Sequence, residues 1–319
     1  MPTTAPLNIL LWHVHGSWTE SFVQGHHRYV IPVNEAKDAD GRGLSGRNWP
    51  HAAEVGSDDL RDEAIDIVVL QRPEDLDLSA AWSGRRPGVD VPAVYVEHNA
   101  PHPSPTGSRH PLSGRDDITV VHVTDFNRLM WDSGTAPTAV IDHGIIDPGY
   151  RYSGELPSAA TMINEPVRRG RVVGADLLAR LSRDVPIDVW GMGSDELTGD
   201  NIRGFGDLLP PALYDEVSRR RVYVHTARWT SLGLSLIEAM FLGMPVVAVA
   251  STMAPLVVPS EAGVVSADVD ALIDALSQYV ADPEAARAAG KSARNFALQR
   301  FGLSRFLHQW DELIEEVIR

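Results

Sequence analysis

Short apolar runs alternate with longer amphipathic stretches along the whole chain. In the first half, stretches of helix length separate five apolar runs of strand length: Leu7–His13, Ile65–Gln71, Pro92–Glu97, Ile118–Val123 and Thr138–Ile141. Buried strands alternating with helices are typical of βαβ units, in which helices cover both faces of a parallel sheet. The first half therefore predicts a doubly wound parallel sheet.

The same pattern begins again after Gly149. The strands predicted here are Ala159–Ile163, Ile187–Trp190, Val222–His225, Pro245–Ala250 and Gly263–Val265, and the helices between them include Val172–Arg183, Pro211–Arg221 and Leu234–Leu242. The turn-rich stretch 147–154 lies between the two series and is predicted to be a linker. From Pro283 to the end, apolar residues at helical spacing predict helix.

The chain is therefore predicted to be α/β, with two doubly wound Rossmann-like domains facing each other across a cleft. The predicted domains are residues 1–150 and 151–319. Ligands of such sheets bind outside the carboxyl ends of the strands, so the cleft is where we expect a site. Whether the last helix stays with the second domain or packs back on the first is left open.

Composition excludes several classes of protein. The chain has 319 residues, a formal net charge of −15 and no cysteine. Such an acidic chain is not expected to bind nucleic acid or an anionic membrane over its whole surface. Without cysteine there is no disulfide and no thiolate site. Since no signal peptide or membrane span is evident, we expect a cytoplasmic protein; its oligomeric state is left open.

Residues 226–248 carry the most specific chemical signal. They predict a strand end, a loop, a helix and the next strand, with Gly233 at the junction of loop and helix. Glycine allows a ligand to approach the backbone closely, and a helix N-terminus favours a phosphate group. Glu238 lies within the same helix, which Gly243 ends. The segment thus predicts a phosphate site with a carboxylate nearby.

This segment resembles that of the family-4 glycosyltransferases of the GT-B fold, retaining enzymes that use nucleotide-activated sugars. Their pattern is Glu, seven residues, Glu, followed by Ala-Met-x-x-Gly-x-Pro-Val-Val, and Glu238 is the second of these glutamates. The resemblance implies that Glu238 holds the ribose hydroxyls and that the amides of Gly233 and Leu234 contact the donor diphosphate. Thr230 stands where the family's first glutamate contacts the donor sugar, and with Ser231 it completes the predicted donor site.

Weaker resemblances suggest the rest of the site. Strand 94–97 leads into His98, which matches the family's cleft histidine. Where the family places a basic pair over the diphosphate, this chain offers Arg168, Arg169 and Arg171, and Arg169 best matches the family's lysine. The resemblance implies that His98, Arg168 and Arg169 are the catalytic residues.

The loop after the first strand corresponds to the family's glycine-rich loop. His15, Gly16 and Ser17 are therefore predicted to lie on the acceptor side of the cleft. Ile141-Asp142-His143-Gly144-Ile145 resembles the segment that closes the family's N-terminal domain. Histidine pairs such as His26 and His27 lack the spacing of a metal motif, so no metal is expected.

The resemblance implies an enzyme of carbohydrate biosynthesis that moves a hexose-type sugar from a nucleotide sugar to an unidentified acceptor. Transfer is expected to be retaining and metal-independent. No cofactor is expected, since the UDP- or GDP-linked donor is a substrate. Two alternatives remain open: a degenerate GT-B protein that binds nucleotide sugar without transfer, motivated by Thr230, and a nucleotide-sugar epimerase of the same fold.

Overall fold

A computed structural model describes residues 5–319. Two compact units divide the chain. The first contains the residues up to Gly144 together with Leu303–Arg319, and the second contains Ile145–Gly302. The predicted linker, residues 147–154, contains neither helix nor strand.

The first unit is a parallel sheet covered by helices, as its apolar runs predict. Its strands are β1 Asn8–Leu11, β2 Arg28–Val33, β3 Ala52–Gly56, β4 Ile67–Leu70, β5 Ala93–Glu97, β6 Thr119–His122 and β7 Thr138–Val140. Its helices before Gly144 are α1 Gly16–Phe22, α2 Glu74–Ser83 and α3 Asp125–Met130, with a 3-10 turn at Leu60–Asp62. The strand order is β3-β2-β1-β4-β5-β6-β7, and every pairing is parallel.

The second unit repeats this architecture. Its strands are β8 Leu156–Met162, β9 Ile187–Trp190, β10 Thr198–Gly199, β11 Ile202–Gly204, β12 Arg220–His225, β13 Val246–Val249 and β14 Gly263–Ser266, in the order β10-β11-β9-β8-β12-β13-β14. Its helices are α4 Pro166–Arg169, α5 Leu178–Leu181, α6 Ala212–Val217, α7 Leu234–Leu242, α8 Ala254–Val257, α9 Val269–Ala281 and α10 Pro283–Phe301, with 3-10 turns at Ala175–Leu177 and Ser194–Glu196. The α/β fold with two doubly wound sheets is confirmed.

The helical end of the chain is two helices rather than one. Helix α10 ends at Gly302, where the backbone is extended (φ −62°, ψ 137°), and α11 Leu303–Ile318 follows. Helix α11 belongs to the first unit, where Trp310 packs edge-on against Trp18 at 5.6 Å. Gly144 is required beside this helix, because a Cβ there would lie 2.4 Å from the Phe306 side chain. The terminal helix thus completes the N-terminal core.

Some local predictions were wrong. Strands β2 and β3 were not predicted, and nor was the antiparallel β10–β11 pair at the edge of the second sheet. The predicted helix Val172–Arg183 is a 3-10 turn followed by the single α-helical turn of α5. Gly174 lies in the left-handed region at φ +73°, a conformation that an α-helix cannot contain, so the helix cannot run through it. The loop after β8 is consequently irregular.

Candidate functional site

The second unit brings two loops together at the carboxyl edge of its sheet. Strands β8 and β12 are neighbours, and the chain order reverses between them, since β9 lies on the far side of β8. The backbone N–H groups of Arg228 and Trp229, in the loop after β12, both donate to the Val172 carbonyl in the loop after β8. Ligands of doubly wound sheets bind at such a reversal point. Of the predicted donor residues, Thr230, Ser231 and Gly233 lie in the loop after β12, and Leu234 and Glu238 lie in helix α7, which follows that loop.

Gly233 starts α7 and packs against an imidazole. Its backbone is extended (φ −67°, ψ 118°), so no left-handed conformation requires glycine. Instead, a Cβ at Gly233 would lie 2.7 Å from Cε1 of His225, the last residue of β12. Burial lowers the pKa of His225 to about 4, so this ring is neutral. Sequence analysis missed His225, whose only signal is its position at a strand end.

The first amides of α7 are free to bind a ligand. Within residues 5–319, the backbone N–H groups of Gly233 and Leu234 meet no acceptor. Unpaired amides at a helix start carry partial positive charge and favour anions. Helix α7 ends at Gly243 in the left-handed region (φ 87°), as predicted. This geometry suits a diphosphate at Gly233 and Leu234.

Glu238 is a perturbed carboxylic acid within α7. Burial raises its pKa from 4.5 to about 7, and a hydrogen bond from the Tyr214 side chain opposes that rise. Tyr214 belongs to α6, so a second helix orients the carboxyl group. A carboxyl group that titrates near neutrality is typical of functional sites. Glu238 can therefore accept hydrogen bonds from hydroxyl groups when it is ionised.

Of the three arginines that follow β8, one has no partner. Arg168 forms an ion pair with Glu165, and Arg171 pairs with Asp176 at 3.0 Å. The guanidinium of Arg169 is half-buried and meets no carboxylate or other acceptor in the described part of the chain. Burial, followed by the neighbouring charge of Arg168, lowers its pKa. A desolvated, unpaired guanidinium favours an anion, so Arg169 is better suited to phosphate than Arg168.

Thr230 and Ser231 lie in the loop that precedes α7. Ser231 is buried, and the Thr230 hydroxyl oxygen is buried without a hydrogen-bond partner in the described structure. An unpaired buried hydroxyl costs free energy, roughly 1–3 kcal/mol. A ligand that satisfied Thr230 would recover part of that cost.

In the first unit, three imidazoles gather at the carboxyl edge of the sheet. The ring centroids of His15 and His98 are 3.9 Å apart, and His143 lies 6.4 Å from His98 with its ring nearly parallel. Burial lowers the pKa of all three rings, in the case of His143 to about 4. The predicted residues His15 and His98 are thus brought together. His143, which follows β7, was not predicted as a site residue.

Gly16 and Ser17 occupy the first turn of α1, directly after His15. Ser17 is exposed, and Gly16 faces the His13 ring at 3.8 Å from an ideal Cβ position. The His13 side chain bonds elsewhere, since its Nδ1 lies 3.0 Å from the Gly43 carbonyl oxygen. Of this loop, His15 therefore makes the contact with His98.

One group of metal-ligating side chains occurs among residues 5–319: His26, His27 and Asp311, with ligand atoms within 4.8 Å of one another. The Leu7 N–H donates to Nδ1 of His27, so Nε2 carries the proton and faces Asp311 Oδ1 at 3.2 Å. A ring nitrogen that carries a proton cannot ligate a metal. The group therefore works as a hydrogen-bonded link between α11 and the sheet.

Comparison with known proteins agrees with this architecture. Residues 194–296 match the family model described as glycosyl transferases group 1, and no curated protein matches the chain. HepE from Anabaena, solved with UDP, is similar with a TM-score of 0.71 and 15% identity over 98% of this chain and 100% of that one. Sucrose-phosphate synthase from Thermosynechococcus elongatus has a TM-score of 0.71 and 17% identity over 97% and 98%. The chain has the GT-B fold.

A third GT-B structure, TarM, is similar over part of its length. Its TM-score is 0.63 at 18% identity, covering 78% of this chain and 54% of TarM. The chain thus spans about half the length of TarM. In the described residues of this GT-B chain, no helix is long and apolar enough to cross a bilayer.

Proposed function

We propose that the protein is a glycosyltransferase that moves a hexose-type sugar from a UDP- or GDP-linked donor to an acceptor, with retention and without a metal. The observation that carries this proposal is the coincidence, on two adjacent loops, of unpaired amides at Gly233 and Leu234 with the unpaired guanidinium of Arg169. The similar HepE chain was solved with UDP, which supports the same class of donor.

In this proposal the donor lies along the start of α7. The amides of Gly233 and Leu234 and the guanidinium of Arg169 bind the diphosphate, while the Glu238 carboxylate accepts hydrogen bonds from the ribose hydroxyls. Arg168 is already paired with Glu165, so in this proposal it contributes less to diphosphate binding than Arg169 does. Thr230 and Ser231 face the donor sugar.

The chemistry is substitution at the anomeric carbon. The acceptor oxygen bonds to that carbon as the bond to the phosphate oxygen breaks, and the departing phosphate takes the acceptor proton. Amides and a guanidinium that are already in place stabilise the charge that develops on the diphosphate. On the first unit, His15, Gly16 and Ser17 are proposed to bind the acceptor, and His98 is proposed to be a catalytic residue.

Thr230 favours a second candidate function. A protein without the acidic residue expected at this position could bind nucleotide sugar and transfer nothing.

The cytoplasmic location expected from the sequence stays a prediction in either case.

Calorimetry with UDP-, GDP- and TDP-sugars tests donor binding, and product analysis with candidate acceptors tests transfer. We expect one nucleotide class to bind and Arg169→Ala to weaken binding far more than Arg168→Ala. Binding without product for any acceptor would favour the second candidate, whereas no binding by any nucleotide sugar would refute both.

A further inference from the structure

The side-chain amide of Gln71 is held between two partners at the end of β4. Its Nε2 donates to the Trp12 carbonyl at 2.7 Å, and its Oε1 lies 3.1 Å from Nε2 of His98. A backbone carbonyl can only accept, so the amide nitrogen must face Trp12 and the amide oxygen must face His98. The neighbouring chemistry thus fixes the orientation of the amide.

That orientation fixes the tautomer of His98. An amide oxygen accepts and cannot donate, so Nε2 of His98 carries the hydrogen. Burial, together with the rings of His15 and His143, keeps the pKa of His98 well below 6.5, so the ring is neutral. The lone pair therefore resides on Nδ1, which meets no donor within residues 5–319.

The surroundings of His98 suit an uncharged ligand. His15 and His143 lie beside its ring at 3.9 and 6.4 Å, and burial lowers the pKa of both, which disfavours the positive charge that would attract an anion. These three rings are not among the described residues that form a metal-ligating group. The three imidazoles therefore offer a ligand one hydrogen-bond acceptor, Nδ1 of His98, beside an aromatic surface.

Gln71 is itself fixed independently of His98. Its backbone N–H donates to Oδ2 of Asp75 at 2.9 Å, and Asp75 is fully buried in an ion pair with Arg72. The bond to Asp75 fixes the backbone of Gln71, and the bond from Nε2 to the Trp12 carbonyl holds its side-chain amide before any ligand arrives, as a group that orients another residue requires.

We propose that Gln71 is a positioning residue that holds His98 in its Nε2–H tautomer, so that Nδ1 accepts a hydrogen bond from a hydroxyl of a neutral sugar. The sugar ligand rests on the function proposed above, whereas the tautomer does not. Gln71 would act only through the imidazole and would not contact the reacting atoms.

The tautomer is tested by ¹⁵N NMR of the histidine side chains in the full, unliganded chain, with His98→Asn used to assign the ring. We expect a protonated, pyrrole-type Nε2 and an unprotonated, pyridine-type Nδ1. Gln71→Met, similar in length but unable to accept this bond, should shift the ring towards a mixture of tautomers. The control Gln24→Met removes a part-buried amide whose Nε2 donates to the Glu20 carbonyl, and it should leave His98 unchanged. A wild-type ring protonated on Nδ1 would overturn the proposal even if Gln71→Met failed to fold.

The ligand is tested by adding UDP-glucose, UDP or inorganic phosphate to the labelled wild type. We expect UDP-glucose to shift the Nδ1 signal and the other two to leave it in place. A shift with phosphate, or saturation by UDP-glucose with no change at Nδ1, would overturn the assignment to a sugar hydroxyl. If UDP-glucose does not bind at all, the sugar ligand fails together with the proposed function, while the spectrum of the free protein still decides the tautomer.

Discussion

Glu238 makes donor binding depend on pH in a way that a simple acidic residue would not. Its pKa of about 7 means that the carboxyl group is largely protonated at pH 6 and largely ionised at pH 8. Ribose hydroxyls donate more strongly to a carboxylate than to a carboxylic acid, because hydrogen bonds to charged groups are stronger. We therefore expect the affinity for UDP-glucose to rise with pH across this range.

The magnitude follows from the fraction of Glu238 that is ionised. With a pKa of about 7, roughly one tenth of the carboxyl groups are ionised at pH 6 and roughly nine tenths at pH 8. If the ligand binds only the ionised form, the dissociation constant falls about tenfold between these pH values, which corresponds to about 1.4 kcal/mol. Glu238→Gln cannot titrate, and should bind with a flat profile at the weaker level.

Isothermal calorimetry from pH 6 to 8 measures this difference. UDP-glucose is the right ligand because its diphosphate lacks the terminal phosphate ionisation that titrates near pH 6 in UDP. The ratio of the wild-type and Glu238→Gln constants then isolates the carboxyl group. A flat wild-type profile, or the same slope in the variant, would refute the assignment of Glu238 to the ribose.

The raised pKa of Glu238 also predicts how the free energy of unfolding depends on pH. Because the folded chain binds the proton more tightly than the unfolded chain, the free energy of unfolding should fall as pH rises from 4.5 to about 7 and then level off. The shift corresponds to at most about 3.5 kcal/mol, and partial exposure of Glu238 reduces this figure. Denaturant titrations should show this loss in wild type and not in Glu238→Gln; an equal loss in both would assign it to other groups.

Three further predictions concern the neighbouring loops. In calorimetry, Arg169→Ala should weaken UDP-glucose binding by about 2 kcal/mol and Arg168→Ala by much less. Equal losses of affinity would contradict the proposal that Arg169, rather than Arg168, binds the diphosphate. Gly233→Ala should destabilise the fold by about 1–3 kcal/mol in denaturant titrations, because its Cβ would meet the His225 ring, and unchanged stability would contradict that packing. Thr230→Val should leave the stability measured in thermal melts unchanged or raise it by about 1 kcal/mol, since it removes a buried hydroxyl without a hydrogen-bond partner. A clear loss of stability would show that the Thr230 hydroxyl does form a hydrogen bond in the folded protein.

The central strands were predictable because each is an unbroken apolar run. Strand β2 was not predicted, although it is largely apolar. Pro32 lies within it and histidines adjoin it, and in the sequence alone both features argue against a strand. The β10–β11 pair is short and largely exposed, so no apolar period marks it. Edge elements of this kind depend on the sheet beside them rather than on their own sequence.

The candidate site also contains some residues that a local motif predicts and others that only the folded structure reveals. Gly233 and Glu238 were found because one local motif contains both. The preference for Arg169 depends on which carboxylates its neighbours reach, which only the folded loop decides. His143 lies far from His98 in sequence, and the two meet because parallel strands end at one edge of a sheet.

A crystal structure of the protein with UDP would test the proposed donor site most directly. We expect the diphosphate at the amides of Gly233 and Leu234, with the guanidinium of Arg169 beside it and the Glu238 carboxylate at roughly 2.6–3.2 Å from the ribose hydroxyls. UDP bound away from the start of α7, or bound there with Glu238 still directed only at Tyr214, would contradict it.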